Sequence, residues 1–352
     1  GSPVFIHGGP FANVAQGTST LMQTMLARRL ADVVVTEAGF AFDLGGFKFL
    51  DLKCRAGGFR PAAVVLVVTV RALRFHGGNA HFSKPDAAAV IRGLENIAAH
   101  VDSMARLGLA KPILSINRFP DDSAAELDAI HDRARALDVI AVEGSYFADG
   151  AEGALALADA VTATLAGHRT DSPDYRAPYE LSDAIPNKIE KIAITVLGAR
   201  GAALTPAAQD ELRDIERMAL PPLPVCLAKT HLSISDDEHK KGRPPPWDLT
   251  VTSLRVITAP TVVVTGSRPS ATTLRARSRS VKIPSGWVFS PTKTEPMLAF
   301  FMICAALDTV VSGGTLITSR IRTLAVSGIG HLSECEAQKI FFLAIQDGAE
   351  VL

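Results

Sequence analysis

Residues 32–55, DVVVTEAGFAFDLGGFKFLDLKCR, decide the fold class. Val33-Val34-Val35 is a short apolar run with no polar side, as a strand buried on both faces of a parallel sheet requires. Glu37, Asp43, Lys48, Lys53 and Arg55 follow, interrupted by Gly39, Gly45 and Gly46. Ligands of open α/β sheets collect where strands end in such turn-rich segments. The stretch therefore reads as a strand delivering charges of both signs into a site. The alternative is a solvated loop whose ions pair locally.

Upstream, residues 4–7 read as a strand running into Gly8-Gly9-Pro10. Thr18 or Ser19 can then cap a helix that carries Leu21, Met25, Leu26 and Leu30 on one face. Downstream, Val64-Val65-Leu66-Val67-Val68 forms a second wholly apolar strand, closed by Arg71 and soon followed by His76-Gly77-Gly78. Helices over 86–107, 123–137 and 151–165 then alternate with strands over 112–117 and 139–142. That alternation predicts an α/β fold, a mostly parallel sheet with flanking helices, over residues 1–168. Residues 169–186, with three prolines, read as a linker, and 187–254 as a smaller mixed α+β domain. The latter has helices over 188–197 and 206–218, a strand over 223–229 and a polar loop over 233–246. Residues 255–352 form an unassigned tail, in which no acidic residue occurs between Val256 and Thr294 while arginines and lysines accumulate.

The 36 basic residues balance 36 acidic ones across 352 residues, so no global field marks nucleic acid as the partner. Four scattered cysteines, Cys54, Cys226, Cys304 and Cys335, form no CxxC pair and point to reduced thiols in a cytoplasmic setting. The start, GSPV, lacks the basic segment and long apolar core of a secretory leader, and the apolar run 297–307 is too short to span a bilayer. No GxxxxGK[ST], GxGxxG after a strand, HExxH or GxSxG string occurs.

Several stretches carry a resemblance: residues 3–13 (PVFIHGGPFAN), the opening stretch, 67–78 (VVTVRALRFHGG), 116–120 (INRFP) and 223–231 (LPVCLAKTH). In this order, over about residues 2–251, they resemble the formate–tetrahydrofolate ligase family. The resemblance implies an incomplete P-loop NTPase-like core and a reaction joining formate to tetrahydrofolate with ATP and Mg2+, through a formyl phosphate attacked by the folate N10 amine. In the family the phosphate-binding loop lies upstream of the point at which this chain begins. The chain accordingly reads as the carboxyl-terminal portion of the enzyme, expected to be inactive alone.

The resemblance also implies site residues. Gln16 stands where the family usually has a His, and glutamine cannot titrate near neutrality. Glu37, Asp43, Lys48 and Arg71 match positions suited to binding substrate charge; His76 is a further catalytic candidate, with His7 nearby. The pterin is expected between Phe119 and Phe147, the latter in place of a family Trp, with Phe11 and Phe49 in the same cavity. Pro245, Pro246 and Trp247 resemble the loop bordering the nucleotide, although two prolines remove amide donors there. Asp236 and Asp237 read as solvent-facing, and no metal site is expected.

Small molecules are the expected partners, with a homo-oligomer common in the family and neither nucleic acid nor membrane implied. A non-catalytic folate-binding or interaction module is the rival reading. For the tail, a shifted reading frame competes with an extension domain whose core would use 297–307 and 340–345. Retranslating the coding DNA in the other frames decides between them.

Overall fold

In the computed structural model, which describes residues 4–8, 18–79, 81, 83–167, 175–257, 261–266, 323–329 and 339–345, the main sheet has seven strands. Their spatial order is β1 (Val4–Gly8), β11 (Thr323–Ile329), β2 (Val33–Ala38), β12 (Lys339–Ile345), β3 (Ala63–Thr69), β4 (Ile113–Asn117) and β5 (Ala141–Gly144). Every pairing is parallel except those of β12, which runs antiparallel to β2 and β3.

β2 and β3 are buried along their whole length because both faces of the sheet are covered. Side chains alternate across a strand. Val64, Leu66 and Val68 therefore join the cluster formed with α4 (Ala87–Arg106) and α5 (Ala124–Ala136). Val65 and Val67, with Val33 and Val35, meet Leu157, Val161 and Leu165 of α7 (Leu155–Gly167) on the other face. A strand wetted on one face would need alternation; this one needs the unbroken apolar run that it has.

Caps fix the helix starts. Ser123 and Glu126 form a reciprocal capping box on α5, and Asp86 accepts the Ala89 N–H of α4 at 2.9 Å. Thr20, rather than Thr18 or Ser19, caps α1 (Leu21–Leu30) by accepting the Gln23 N–H at 3.2 Å. Ser19 is buried instead, within 3.1 Å of the Thr24 hydroxyl.

The opening stretch differs most from expectation. The chain leaves β2 and coils into two wide π-helical segments, Phe42–Gly46 and Phe49–Cys54, which run on into α2 (Arg55–Gly57). Every residue from Phe42 to Cys54 is buried, so this is a packed core element and not a turn-rich loop. Its tightest approach is glycine on glycine: a Cβ at Gly45 would lie 2.1 Å from the Gly39 carbonyl oxygen.

α3 (Val70–His76) follows β3 and packs closely on α4, where a Cβ at Gly77 would lie 1.8 Å from the Ala89 oxygen. β5 leads into the one-turn α6 (Tyr146–Asp149). Beyond α7, the described part of the expected linker is pinned down: the Arg176 N–H donates to the Leu107 oxygen at 2.8 Å, and Tyr179 is 2% exposed. α8 (Ile185–Ile192) and α9 (Pro206–Arg217), the latter capped by Thr205, carry the second part. β6 (Gly201–Leu204) pairs parallel with β8 (Asp248–Val251). β7 (Val225–Ala228) pairs with β10 (Thr261–Thr265), which runs antiparallel to β9 (Ser253–Ile257).

One continuous apolar cluster spans both parts, from Phe42 and Leu66 to Ile192, Trp247 and Leu254. The strands β9 and β10 tie the chain past residue 255 to β7, and the 340–345 segment is β12 of the main sheet. The run 297–307 lies outside the described residues. Cys54 and Cys226 are buried and form no disulfide among the described residues, and no described helix is long and apolar enough to cross a membrane.

Candidate functional site

Because β2, β3, β4 and β5 point the same way, the chain leaves all four at one edge of the sheet. Glu37 and Asp43 come with the exit of β2, Arg71 and His76 with β3, Phe119 with β4 and Phe147 with β5. Glu37 is 5% exposed at the end of β2.

A buried ionic node joins the exits of β2 and β7. The Lys229 ammonium, wholly enclosed, lies 2.5 Å from the Asp43 carboxylate and donates to the Ser233 oxygen at 2.6 Å and the Thr230 oxygen at 3.1 Å. Its three protons thus have three acceptors. Lys48 is enclosed beside this pair. Burial pushes its ammonium below the usual range, Lys229 adds to that, and Cys226 and Asp43 oppose it. The node brings His231 onto Phe40, with ring centroids 4.6 Å apart and planes 22° from parallel. Phe40 adopts φ +60, a left-handed backbone that costs a bulky residue about 1–3 kcal/mol and occurs where surroundings impose it.

At the next exit, the Arg71 guanidinium lies 4.4 Å from the centre of the Phe119 ring and donates to Asp121 at 2.8 Å. Its Nε is buried and has no hydrogen-bond partner among the described residues. Arg74, one helical turn on, is fully buried. It donates to both oxygens of Glu126 at 2.7 and 2.8 Å, to the Asp121 carboxylate at 3.0 Å and to the Asp121 carbonyl at 3.1 Å. Burial alone would raise the Glu126 carboxyl. The Arg74 hydrogen bonds, with those from the Asp86 and Ser123 N–H groups, overcome it and hold the group at about 2. These contacts fasten α3, α4, α5 and the β4 exit to one another.

His76 accepts the Gly242 N–H at Nδ1 over 3.4 Å, and the Asn96 amide donates to the Gly242 oxygen at 3.2 Å. Burial, then His100 and Lys241, drives the imidazole down to about 3. The ring is therefore neutral through the physiological range, and its contact with Gly242 ties α3 to the 233–247 loop. Lys241 of that loop lies over the Phe75 ring at 3.9 Å.

The remaining expectations divide. Gln16 and Phe11 lie outside the described residues, as does the Phe147 side chain. Phe49 is 1% exposed and meets Phe59 edge-on, with ring centroids 6.0 Å apart. Trp247 is likewise buried, whereas Pro245 and Pro246 are exposed. Asp236, expected in solvent, is buried, and its carboxylate accepts the Thr250 N–H at 3.0 Å within β8. No group of three or more His, Cys, Asp or Glu suited to a metal occurs among the described residues. Sequence reasoning did not single out Phe40, Lys229 and His231. The signal available was a lysine placed directly after the apolar run Val225–Ala228, the mirror of Asp43 after β2.

The chain matches the family model described as formate–tetrahydrofolate ligase over residues 1–269, past the expected end near 251. The formate–tetrahydrofolate ligase of Myxococcus xanthus (strain DK1622) is 44% identical over 260 residues, 73% of this chain and 47% of that protein. That of Bacillus pumilus (strain SAFR-032) is 43% identical over 257 residues, 72% of this chain and 45% of the relative. The chain thus spans about half the length of the curated relatives it matches. With the match covering most of its length, the chain belongs to the formate–tetrahydrofolate ligase family.

Proposed function

We propose that this chain supplies the folate-binding portion of a formate–tetrahydrofolate ligase. In that reaction a formate oxygen attacks the terminal phosphorus of ATP, releasing ADP and leaving formyl phosphate. The N10 amine of tetrahydrofolate then attacks the formyl carbon, phosphate departs, and the amine loses its proton. The observation that carries the reading is the Arg71–Phe119 stack at the exit of β3 and β4, with a buried Arg71 donor that no described group accepts. An orphaned buried donor costs about 1–3 kcal/mol, which an anionic or carbonyl oxygen of a ligand would recover. Phe119 and Phe147 flank the pterin, Arg71 meets its polar edge, and the Asp43–Lys229 node holds the adjoining exits in place. Pro245, Pro246 and Trp247 border the nucleotide. Mg2+ would enter with the ATP phosphates, where it would neutralise their charge, and no step here runs through it.

Gln16 gives no titratable group for the N10 proton, and the Pro245-Pro246 pair lacks amide donors. Those two departures favour a second reading, a folate-binding module without turnover. Formate-dependent ADP release, measured with the chain alone and after adding the amino-terminal half of a family member, separates the two. The ligase reading expects no turnover alone and turnover in the mixture, with Phe119→Ala raising the folate KM at least tenfold through the lost stacking surface. Folate binding with no turnover in the mixture would leave the second reading standing.

A further inference from the structure

A groove of about 330 Å3 lies between the second half of α4, the coil after α8 and the loop entering β8. Its lining carries three guanidinium groups, Arg106, Arg200 and Arg243, against one carboxylate, Asp102, with Pro244, Pro246 and Trp247 as apolar surface. Two of these cations are already paired: Arg243 with Asp102 at 2.5 Å and Glu95 at 3.7 Å, Arg200 with Asp248 at 2.6 Å. Arg106 is held differently. Its Nε donates to the Thr195 oxygen at 2.7 Å, and among the described residues no carboxylate lies within ion-pair distance of it.

Gly198, at φ +70, lies alongside this side chain, and a Cβ there would stand 3.6 Å from the Arg106 Nη2. Partial burial lowers the guanidinium from its ordinary range, Asp102 opposes this at longer range, and the like charge of Arg243 adds to the lowering. An anion between Arg106 and Arg243 would relieve that repulsion. The planar fork of Arg106 presents two parallel N–H donors, which match two oxygens of a tetrahedral oxyanion.

We infer that this groove binds a phosphate-type dianion, with Arg106 as its recognising donor and Arg243 and Arg200 as flanking charge. The site is separate from the folate edge. Asp86, at the start of α4, belongs to the Arg74–Glu126 network near the strand exits, while Arg106 is the last residue of this 20-residue helix. At about 1.5 Å per residue the two ends lie roughly 30 Å apart. Two sources carry this chemistry, free phosphate and the end of a nucleotide, and only the second rests on the nucleotide-bordering reading of Pro246 and Trp247.

Calorimetric titration of the full chain with inorganic phosphate, ADP and adenosine, at constant ionic strength in chloride, tests it. Saturable binding of phosphate and ADP, none of adenosine, and a loss of at least tenfold in Arg106→Gln are expected. ADP binding tighter than phosphate identifies the nucleotide source; equal affinities identify free phosphate. Should Arg106→Gln fail to fold, Arg106→Lys keeps the charge, loses the fork and should bind severalfold more weakly. No saturable phosphate binding, or affinity unchanged in the folded variants, overturns the inference. Folate is absent from every arm, so this result and the ligase reading fail independently.

Discussion

Replacing Lys229 by methionine is expected to lower the free energy of unfolding by about 3–5 kcal/mol, the range for breaking one side of a buried ion pair. Methionine keeps most of the stem's volume, so the loss reports the charge and not a cavity. Left behind are the Asp43 carboxylate, 6% exposed in its side chain, and the Thr230 and Ser233 carbonyls without their donor. Asp43→Asn in the same chain removes the uncompensated charge and should return part of the loss, which a double-mutant cycle reads as coupling. Urea unfolding followed by circular dichroism measures both. A single-variant loss below about 1 kcal/mol would mean that the node is not desolvated as described.

The second large effect belongs to Arg74. Arg74→Met strips Glu126 and Asp122, both wholly enclosed, of their cation, and a loss of about 3–5 kcal/mol is expected on the same grounds. The pH dependence supplies an independent readout. Glu126 sits at about 2 in the folded chain, below its ordinary value of 4.5. A depressed folded value means that the unfolded chain binds the proton more readily. The contribution is therefore complete above about pH 4.5 and lost as pH falls towards 2. The shift corresponds to roughly 3 kcal/mol at neutrality. In Glu126→Gln the stability curve should be flatter over that window, because the titrating group is gone. An unchanged acid limb in that variant would assign the acid sensitivity elsewhere.

The parts of the fold legible in the sequence are those where one physical constraint acts alone. Val64–Val68 could only be a strand covered on both faces, and Ser123 with Glu126 could only start a helix. β5 illustrates the limit, beginning at Ala141 where residues 139–142 were expected, because Val139 and Ile140 differ little from the strand that follows. The wide coil Phe42–Cys54 was hidden for a different reason. Its turns follow neither a period of 2 nor 3.6, and its glycines serve close packing, as Gly45 on Gly39 shows, where composition suggests a loop. Of the site, residues at strand exits were legible because the sheet fixes where exits lie. The partners that matter energetically were not: Asp43 meets Lys229, Phe40 meets His231 and Asp51 bonds Tyr179 across long sequence separations.

The central claim is that the strand exits carrying Arg71 and Phe119 form a folate pocket without help from the ATP-binding half of the enzyme. Titrating the chain alone with tetrahydrofolate, under reducing conditions and without nucleotide, tests it most directly. The account predicts one saturable site, weakened at least tenfold by Phe119→Ala while the thermal transition stays in place. A folded chain that takes up no tetrahydrofolate, or binds it equally well without the Phe119 ring, would contradict it.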